Sequence, residues 1–324
     1  MKAARVHASE TECTIVYEEV PDPTAGPGEA LIRMDVIGVN FGDVIPILPG
    51  YTGPFPVTLG NEGAGTVVAV GADVQEVRPG QRVAFMSRRS SGAYAELVVV
   101  PAWHVVPIPA NMPANEAAAT LAQGRTAHYL AHSAAPLERG MTCLVHAAAG
   151  GVGLLLVQIA KRCGAKVIGT VSTQEKAQMA KEAGADEIIL YTETDFAEEA
   201  KRLTEGRGVD VVYDGVGETT FLKGLDSLRE RGVIVVYGAA SGAAPAVSPA
   251  LLTQKGSLYL TGTTSRDYTA TREELLGRSN ELLGWVADGM LKLHIHAEYP
   301  LLEAATALEA IQSRSTMGKL LLIP

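Results

Sequence analysis

Apolar and polar positions follow two different rhythms along this chain. Through the first part, short β-rich runs are broken by turns. Ala30-Leu31-Ile32-Arg33-Met34-Asp35-Val36-Ile37-Gly38-Val39 is one, and Gly63-Ala64-Gly65-Thr66-Val67-Val68-Ala69-Val70-Gly71 is another. In Arg78-Pro79-Gly80-Gln81-Arg82-Val83-Ala84-Phe85 a Pro-Gly turn feeds a third strand. A 3.6-residue period is scarce here, which predicts an antiparallel, barrel-like domain. From Asn115 onward helix formers dominate and strands alternate with helices. The pattern predicts strands over 143–146, 166–171, 187–190, 209–214, 233–237 and 257–261, and helices over 152–163, 174–183, 196–204 and 218–230. Three of these helices run out at Gly164, Gly184 and Gly232, residues suited to a left-handed cap. Six strands with crossovers of this length predict a doubly wound parallel sheet in an α/β chain. Beyond Arg266 the texture is mixed, with a helical pattern over 272–287 and a closing strand over 319–323.

Composition narrows the class. The chain has 324 residues, 47% of them apolar and 19% charged, enough for about two domains with a core each. With 36 acidic against 27 basic side chains the formal net charge is −9, which disfavours nucleic acid and anionic membrane as partners. Cys13, Cys143 and Cys163 show no paired spacing, so a reducing compartment fits better than a disulfide framework. Met1-Lys2-Ala3-Ala4-Arg5-Val6 has no apolar run behind its charges, and the apolar stretch 143–160 is interrupted by His146, Gln158 and three glycines. A soluble, cytoplasmic protein without a membrane span is therefore expected.

The strongest local motif is Leu144-Val145-His146-Ala147-Ala148-Ala149-Gly150-Gly151-Val152-Gly153-Leu154, an apolar strand running through small residues into an apolar helix. Gly150 lets the backbone approach a pyrophosphate, Gly153 lets helix and strand pack closely, and the helix N-terminus supplies N–H groups and its positive dipole end. Ala149, Gly150, Gly151, Val152 and Gly153 are the candidate dinucleotide-binding residues. Ala148 stands where the first glycine of the fingerprint is usual, a departure. About 20 residues further on, an acidic side chain would select NAD. Here Ser172 and Thr173 end the second strand and Lys176 follows one turn later, so hydroxyls and an ammonium meet a 2′-phosphate, pointing to NADPH. The competing reading of Lys176 is an ordinary solvated helix charge.

Further segments carry a family likeness: Gly38-Val39-Asn40-Phe41-Gly42-Asp43, Gly60-Asn61-Glu62-Gly63-Ala64-Gly65, Gln123-Gly124-Arg125-Thr126-Ala127, Val211-Val212-Tyr213-Asp214, Gln254-Lys255-Gly256-Ser257-Leu258 and the closing Gly318-Lys319-Leu320-Leu321-Leu322-Ile323-Pro324. With the glycine loop they make the chain resemble, over essentially its whole length, the zinc-independent quinone oxidoreductases, the zeta-crystallin-like branch of the medium-chain dehydrogenase/reductases. The resemblance implies a Rossmann domain (123–266) inserted in a GroES-like β-barrel catalytic domain (1–122 and 267–324). It also implies NADPH as cofactor, a quinone or enone as small-molecule substrate, and a homodimer paired through the edge strand at 257–261. Asn40, Phe41 and Asp43 are implied at the nicotinamide, with Thr126 and Tyr129 across from them. Tyr191, Val216, Gly238, Ser241, Thr264 and Arg314 are implied in the cofactor cleft; for Tyr129 and Tyr191 core packing is the alternative. Zinc-using relatives carry Cys at the place of Asn40 and His at that of Asn61. Asn is a poor zinc ligand, so no metal is expected and Glu62 is expected to be left without partners.

One loop departs from the family. Relatives place a Tyr and an Arg where this chain has Ile45 and Ile47, and of that pattern Tyr51 alone remains. A more apolar substrate mouth is expected. Asn40, Asp43 and Tyr51 are the polar candidates for contact with the acceptor. The expected activity is NADPH-dependent quinone reduction without zinc. The alternatives are an enoyl or alkenal double-bond reductase on the same scaffold and a non-enzymatic, crystallin-like cofactor-binding protein. His294 and His296 have ligand-like spacing but are read as a solvent-facing pair on one strand face; His128 and His132, at i and i+4 on a helix without an acidic partner, are read as structural. His146 is read as a buried, hydrogen-bonded histidine, and no G-x-S-x-G nucleophile occurs.

Overall fold

The computed structural model describes residues 1–8, 13–48, 51–87 and 89–324, and its described residues fall into two compact units, 1–122 with 271–324 and 123–270. Along the chain come β1 (Lys2–Ala8), β2 (Cys13–Glu19), β3 (Glu29–Val39), β4 (Val57–Thr58), β5 (Glu62–Val70), β6 (Arg82–Met86), β7 (Leu97–Pro101) and β8 (Val105–Pro107). Helix α1 (Ala114–Tyr129) follows, then β9 (Thr142–Val145), α2 (Gly151–Arg162), β10 (Lys166–Val171), α3 (Gln174–Glu182), β11 (Glu187–Leu190), α4 (Phe196–Arg202), β12 (Val209–Asp214), α5 (Phe221–Ser227), β13 (Leu228–Val236), α6 (Pro249–Gln254) and β14 (Tyr259–Gly262). The chain closes with α7 (Arg272–Ala287), β15 (Ile295–Pro300), α8 (Ala304–Gln312) and β16 (Lys319–Ile323).

The first unit is built around β3. Its alternating burial sends Ala30, Ile32, Met34 and Val36 inward before the strand becomes wholly buried from Val36 to Val39. One edge of β3 pairs antiparallel with β5; along the other, β7 takes the first half and β16 the last three residues. The 15–16–3–5–6–8 order thus folds the C-terminal segment back into the N-terminal sheet. Phe85, Tyr94 and Ile37 are fully enclosed there, each apolar side chain contributing about 1.5–3 kcal/mol by leaving water.

The second unit is a six-stranded parallel sheet in the order 11–10–9–12–13–14. β12 is buried along its whole length, its apolar Val211-Val212-Tyr213 run flanked by Asp210 and Asp214, as a central strand of a parallel sheet covered on both faces requires. The order reverses between β9 and β12, the switch point outside whose carboxyl ends ligands bind in such sheets.

One expectation is corrected. The helix read over 218–230 is only α5, and Gly232 is not its cap: Gly232 lies inside β13. Leu228 turns extended to pair with Val209, and the ladder resumes at Val211 with Val233. Residues 229–232 bulge between the two blocks, with Arg231 in the left-handed region (φ +56) and its N–H on Gly256 O at 2.7 Å. Gly164 and Gly184 do take left-handed backbone, φ +81 and +108, directly after α2 and α3.

Candidate active site

In the parallel unit, β9 ends at Val145 and the chain turns through 146–150 into α2. The turn is made by Ala147, which holds φ +51, a strained value for a residue with a Cβ. Ala148 fills the place of the usual glycine because Gly169 on β10 has no side chain; a Cβ at 169 would lie 2.8 Å from that of Ala148. At Gly153 a Cβ would drive into Ala147 O and come within 2.8 Å of the Ala148 backbone, so helix and strand approach as closely as a dinucleotide fold requires. Gly150 caps α2 without a side chain. The first-turn N–H groups therefore receive no side-chain cap, and an anion is their natural partner.

Around this loop the carboxyl ends of the other strands gather most of the remaining candidates. Ser172 and Thr173 follow β10, and the Thr173 hydroxyl caps α3 by accepting the Lys176 N–H at 3.3 Å. Burial lowers the pKa of Lys176. Tyr191, after β11, is 49% exposed and so is not a core aromatic. Asp214 ends β12 fully buried and accepts from Val216 N (2.8 Å), Gly217 N (3.0 Å) and the Thr220 hydroxyl (2.9 Å), which pins the 215–217 loop. The Ser241 hydroxyl donates to Val216 O at 2.9 Å, and Gly238 leaves room for Gly215 O, 2.6 Å from where its Cβ would stand. Tyr129 is buried, with its ring stacked on Tyr268 (4.4 Å, 3°) and its hydroxyl 3.2 Å from Thr263 Oγ1, next to the exposed Thr264. Thr126 lies half-buried one turn before Tyr129 on α1. Arg314 belongs to the first unit, where it follows α8 with φ +58.

In the first unit, strand register assembles a polar cluster that the sequence did not disclose. Ile37 faces Gly63 across one edge of β3, and Leu320 faces Val39 across the other. Glu62 and Lys319 are thereby brought together beside Gly38. Lys319 Nζ donates to Glu62 Oε2 at 2.5 Å and to Asn40 Oδ1 at 2.9 Å; Asn40 Nδ2 donates to Glu62 Oε2 at 2.9 Å; and Ala122 N donates to Glu62 Oε1 at 2.5 Å. Glu62 is 0% and Lys319 2% exposed. Lacking zinc co-ligands, Glu62 is still not idle: an internal ammonium, an amide and a backbone N–H occupy its oxygens. The one available signal was a lysine opening an otherwise apolar closing strand, and sequence spacing does not say what it meets.

Asp43 lies beside this cluster, also buried. Its Oδ2 accepts from Asn40 N (2.9 Å) and the Tyr94 hydroxyl (3.2 Å), and its Oδ1 from Asn61 Nδ2 (3.2 Å). Burial pushes Asp43 up to about 6, opposed by the Asn40 N–H, the Lys319 charge, Asn61 and Tyr94. Burial also holds the Tyr94 phenol well above its ordinary range, so it remains a neutral donor. Asn61, read in the sequence only as the residue at the zinc ligand's place, and Tyr94 thus support Asp43 through contacts that sequence reasoning missed. Phe41, Ile45 and Leu48 are exposed, whereas Ile47 packs against the core and the Tyr51 ring meets Phe55 edge-on at 5.3 Å. The apolar character of this loop therefore rests on Phe41, Ile45 and Leu48 rather than Ile47. Pro49 and Gly50 lie outside the described residues.

Other candidates stay apart. His146 is buried, its Nδ1 2.9 Å from Thr170 Oγ1, its ring edge-on to Phe196, and its Nε2 without a hydrogen-bond partner among the described residues. Among the described residues no cluster of three or more His, Cys, Asp or Glu is placed to hold a metal. A basic cleft lined by Lys201, Arg207, Arg229 and Lys255 opens at the amino ends of β12 and β13, the opposite end of the sheet from the glycine loop.

Residues 26–110 match the alcohol dehydrogenase GroES-like domain, and residues 151–280 match the zinc-binding dehydrogenase family. Quinone oxidoreductase 1 of Escherichia coli K12 is 41% identical over 314 residues, covering 95% of this chain and 96% of that protein. A 2-haloacrylate reductase of a Burkholderia species is 38% identical over 330 residues, covering 99% and 98%. A mycobacterial protein solved in complex with NADPH gives a TM-score of 0.94 at 40% identity, with 100% of both chains covered.

Proposed function

The chain belongs to the quinone oxidoreductase family of the medium-chain dehydrogenase/reductases, and from that premise we propose that it is an NADPH-dependent quinone reductase working without zinc. The observation that carries the reading is the loop 147–153. It offers an uncapped helix N-terminus at the switch point of a parallel sheet, with backbone approach that only glycine at 153 permits. A relative at 40% identity has been solved with NADPH. The hydroxyls of Ser172 and Thr173 and the ammonium of Lys176 suit the 2′-phosphate. When bound, the nicotinamide supplies a hydride.

The chain's own residues hold and shield. Ala149 to Gly153 grip the pyrophosphate, and Val216, Gly238, Ser241, Tyr191 and Thr264 border the nucleotide at the strand ends. Asn40, Asp43 and Tyr51 are the polar groups on the catalytic unit for the acceptor, with solvent as the proton source. Zinc independence is supported by Glu62, whose two oxygens are taken by Lys319, Asn40 and Ala122 N. A homodimer through β14 is supported by Tyr259 and Leu260, 61% and 39% exposed on the edge strand of the parallel sheet. A reducing, cytoplasmic setting is supported by Cys13, Cys143 and Cys163, all free thiols. Among the described residues no helix is long and apolar enough to cross a membrane.

A second reading, reduction of an activated carbon–carbon double bond, is favoured by the 2-haloacrylate reductase at 38% identity. Oxidation of NADPH by a benzoquinone, followed at 340 nm, tests the first reading, and product analysis with 2-haloacrylate or a simple enone tests the second. Binding of NADPH with no turnover of either acceptor would leave a cofactor-binding protein and refute both.

A further inference from the structure

Asn40 is held by two buried charges that fix which way its amide faces. Lys319 Nζ carries hydrogens and no acceptor, so the atom turned to it must be Oδ1; Glu62 Oε2 accepts, so the atom turned to it must be Nδ2. The usual ambiguity between amide oxygen and nitrogen is removed by charge. Nδ2 has two hydrogens, and Glu62 takes one. Glu62 and Lys319 are sealed from solvent while Asn40 is half-buried. The second N–H is thus the polar hydrogen through which this cluster meets anything outside it.

The backbone is arranged for the same end. Gly38, one strand position from Val39, leaves the space in which the pair lies: a Cβ there would stand 2.5 Å from Glu62 Oε2 and 3.0 Å from Lys319 Cε. Asn40 N is tied to Asp43 Oδ2, so the main chain at 40 is fixed as firmly as the side chain.

We propose that Lys319, together with Glu62, is a positioning residue that presents Asn40 as an N–H donor to the carbonyl oxygen of the acceptor. The proposal rests on the quinone or enone reductase reading above. In that step the acceptor would gain the hydride at a conjugated carbon, a C–H bond forming there as the C4–H bond of the reduced nicotinamide breaks, and an electron pair of its π system would move onto the carbonyl oxygen. The nicotinamide is left oxidised, and a solvent proton then completes the product. The oxygen gains negative charge during the step, and a pre-aimed N–H is most valuable where charge develops. Lys319 at Oδ1 polarises the amide and prevents it from turning its oxygen outward, which would place a lone pair against the incoming charge.

The test is a cycle of substitutions read by steady-state kinetics with a quinone, NADPH affinity being measured separately by fluorescence titration. Replacing the pair without leaving a lone buried charge (Lys319→Met with Glu62→Gln) is expected to lower kcat about 10-fold with NADPH affinity unchanged. Asn40→Ala is expected to lower it about 100-fold, within the range for loss of one such donor. In the triple variant the loss should equal that of Asn40→Ala alone, because the pair acts through Asn40. Multiplicative losses, or a pair replacement with full kcat, would overturn the proposal. If the unmodified chain binds NADPH but reduces no quinone or enone, the reductase reading fails; if it turns over and the cycle is multiplicative, only the role of Lys319 fails.

Discussion

Adding one methyl group at Gly38 tests the packing argument directly. The ideal Cβ of Gly38→Ala would lie 2.5 Å from Glu62 Oε2, 3.0 Å from Glu62 Cδ and 3.0 Å from Lys319 Cε. Carbon atoms attract best near 3.5–4.0 Å, so the overlap is on the order of 1 Å against a carboxylate held by three donors. Two relaxations are open. If β3 yields, the cost is that of overpacking, about 1–3 kcal/mol. If the carboxylate yields, Lys319 is left as an unpaired buried ammonium, at about 3–5 kcal/mol. The cheaper route wins, at about 2 kcal/mol, and the lower chain entropy of Ala in the unfolded state returns about 0.4–1 kcal/mol. The net expected loss is about 1–2 kcal/mol. The chain's two tryptophans, Trp103 and Trp285, both lie in the catalytic unit, so urea unfolding followed by their fluorescence reports on that unit. With a slope of about 2 kcal/mol per molar urea, the midpoint should fall by about 0.5–1 M. Gly277→Ala serves as the control. It lies inside α7 with nothing within 4 Å of its Cβ, and should raise stability by about 0.5–1 kcal/mol. If Gly38→Ala matches the parent or gains stability as Gly277→Ala does, the pair is not confined as described.

Three further outcomes follow from the same geometry. Asp43 is held near 6 in the folded chain against an ordinary 3.8, so between those pH values the folded state keeps a proton that the unfolded state has released. Stability should therefore fall as pH rises from about 4 to 6, by about 3 kcal/mol (2.2 units at 1.36), and the fall should be missing in Asp43→Asn; parallel profiles would refute this assignment. Lys176→Ala should lower the ratio of kcat/KM for NADPH over NADH by about 10–100-fold, the value of one charged hydrogen bond, and an unchanged ratio would remove Lys176 from the 2′-phosphate. Tyr259→Glu places like charges across the proposed edge-to-edge contact of β14, so light scattering should show a dimer in the parent and a monomer in the variant.

The parallel unit was legible because its signals are local. A buried strand is a short apolar run, a crossover helix carries its own period, and Gly164 and Gly184 mark where α2 and α3 must stop. The misreading at 218–230 came from the same locality. Leu228 to Arg231 looks like the end of a helix, and only the ladder to Val209 and Val211 shows that the segment is strand with a bulge inside it. Ala148 looked like a defect in the glycine motif until β10 placed Gly169 against it, since the small residue that the turn needs can stand on the neighbouring strand. Tyr129 and Tyr191 could not be told apart by type; the first is stacked in the interior and the second is half-exposed at a strand end.

The cluster at Glu62 shows where such reading stops, and why. Asn40 and Lys319 are separated by 279 residues, and Glu62 and Lys319 by 257. Their meeting depends on β16 pairing with β3 in a register that sets Leu320 against Val39; a slip of one residue would turn the lysine to the opposite face of the sheet. In that register Leu320 and Leu322 pack into one core and Leu321 into another, packing that has nothing to do with the charge they deliver. A buried ion pair adds little net stability compared with apolar residues of the same volume, so its place in the centre of this sheet is poorly accounted for by folding energy alone. Orientation accounts for it better. An amide held from both sides cannot rotate, and a pocket filled by the chain's own ammonium keeps the carboxylate satisfied without a metal. Stability and activity should then separate: neutralising both members of the pair together should cost turnover well before it costs the fold.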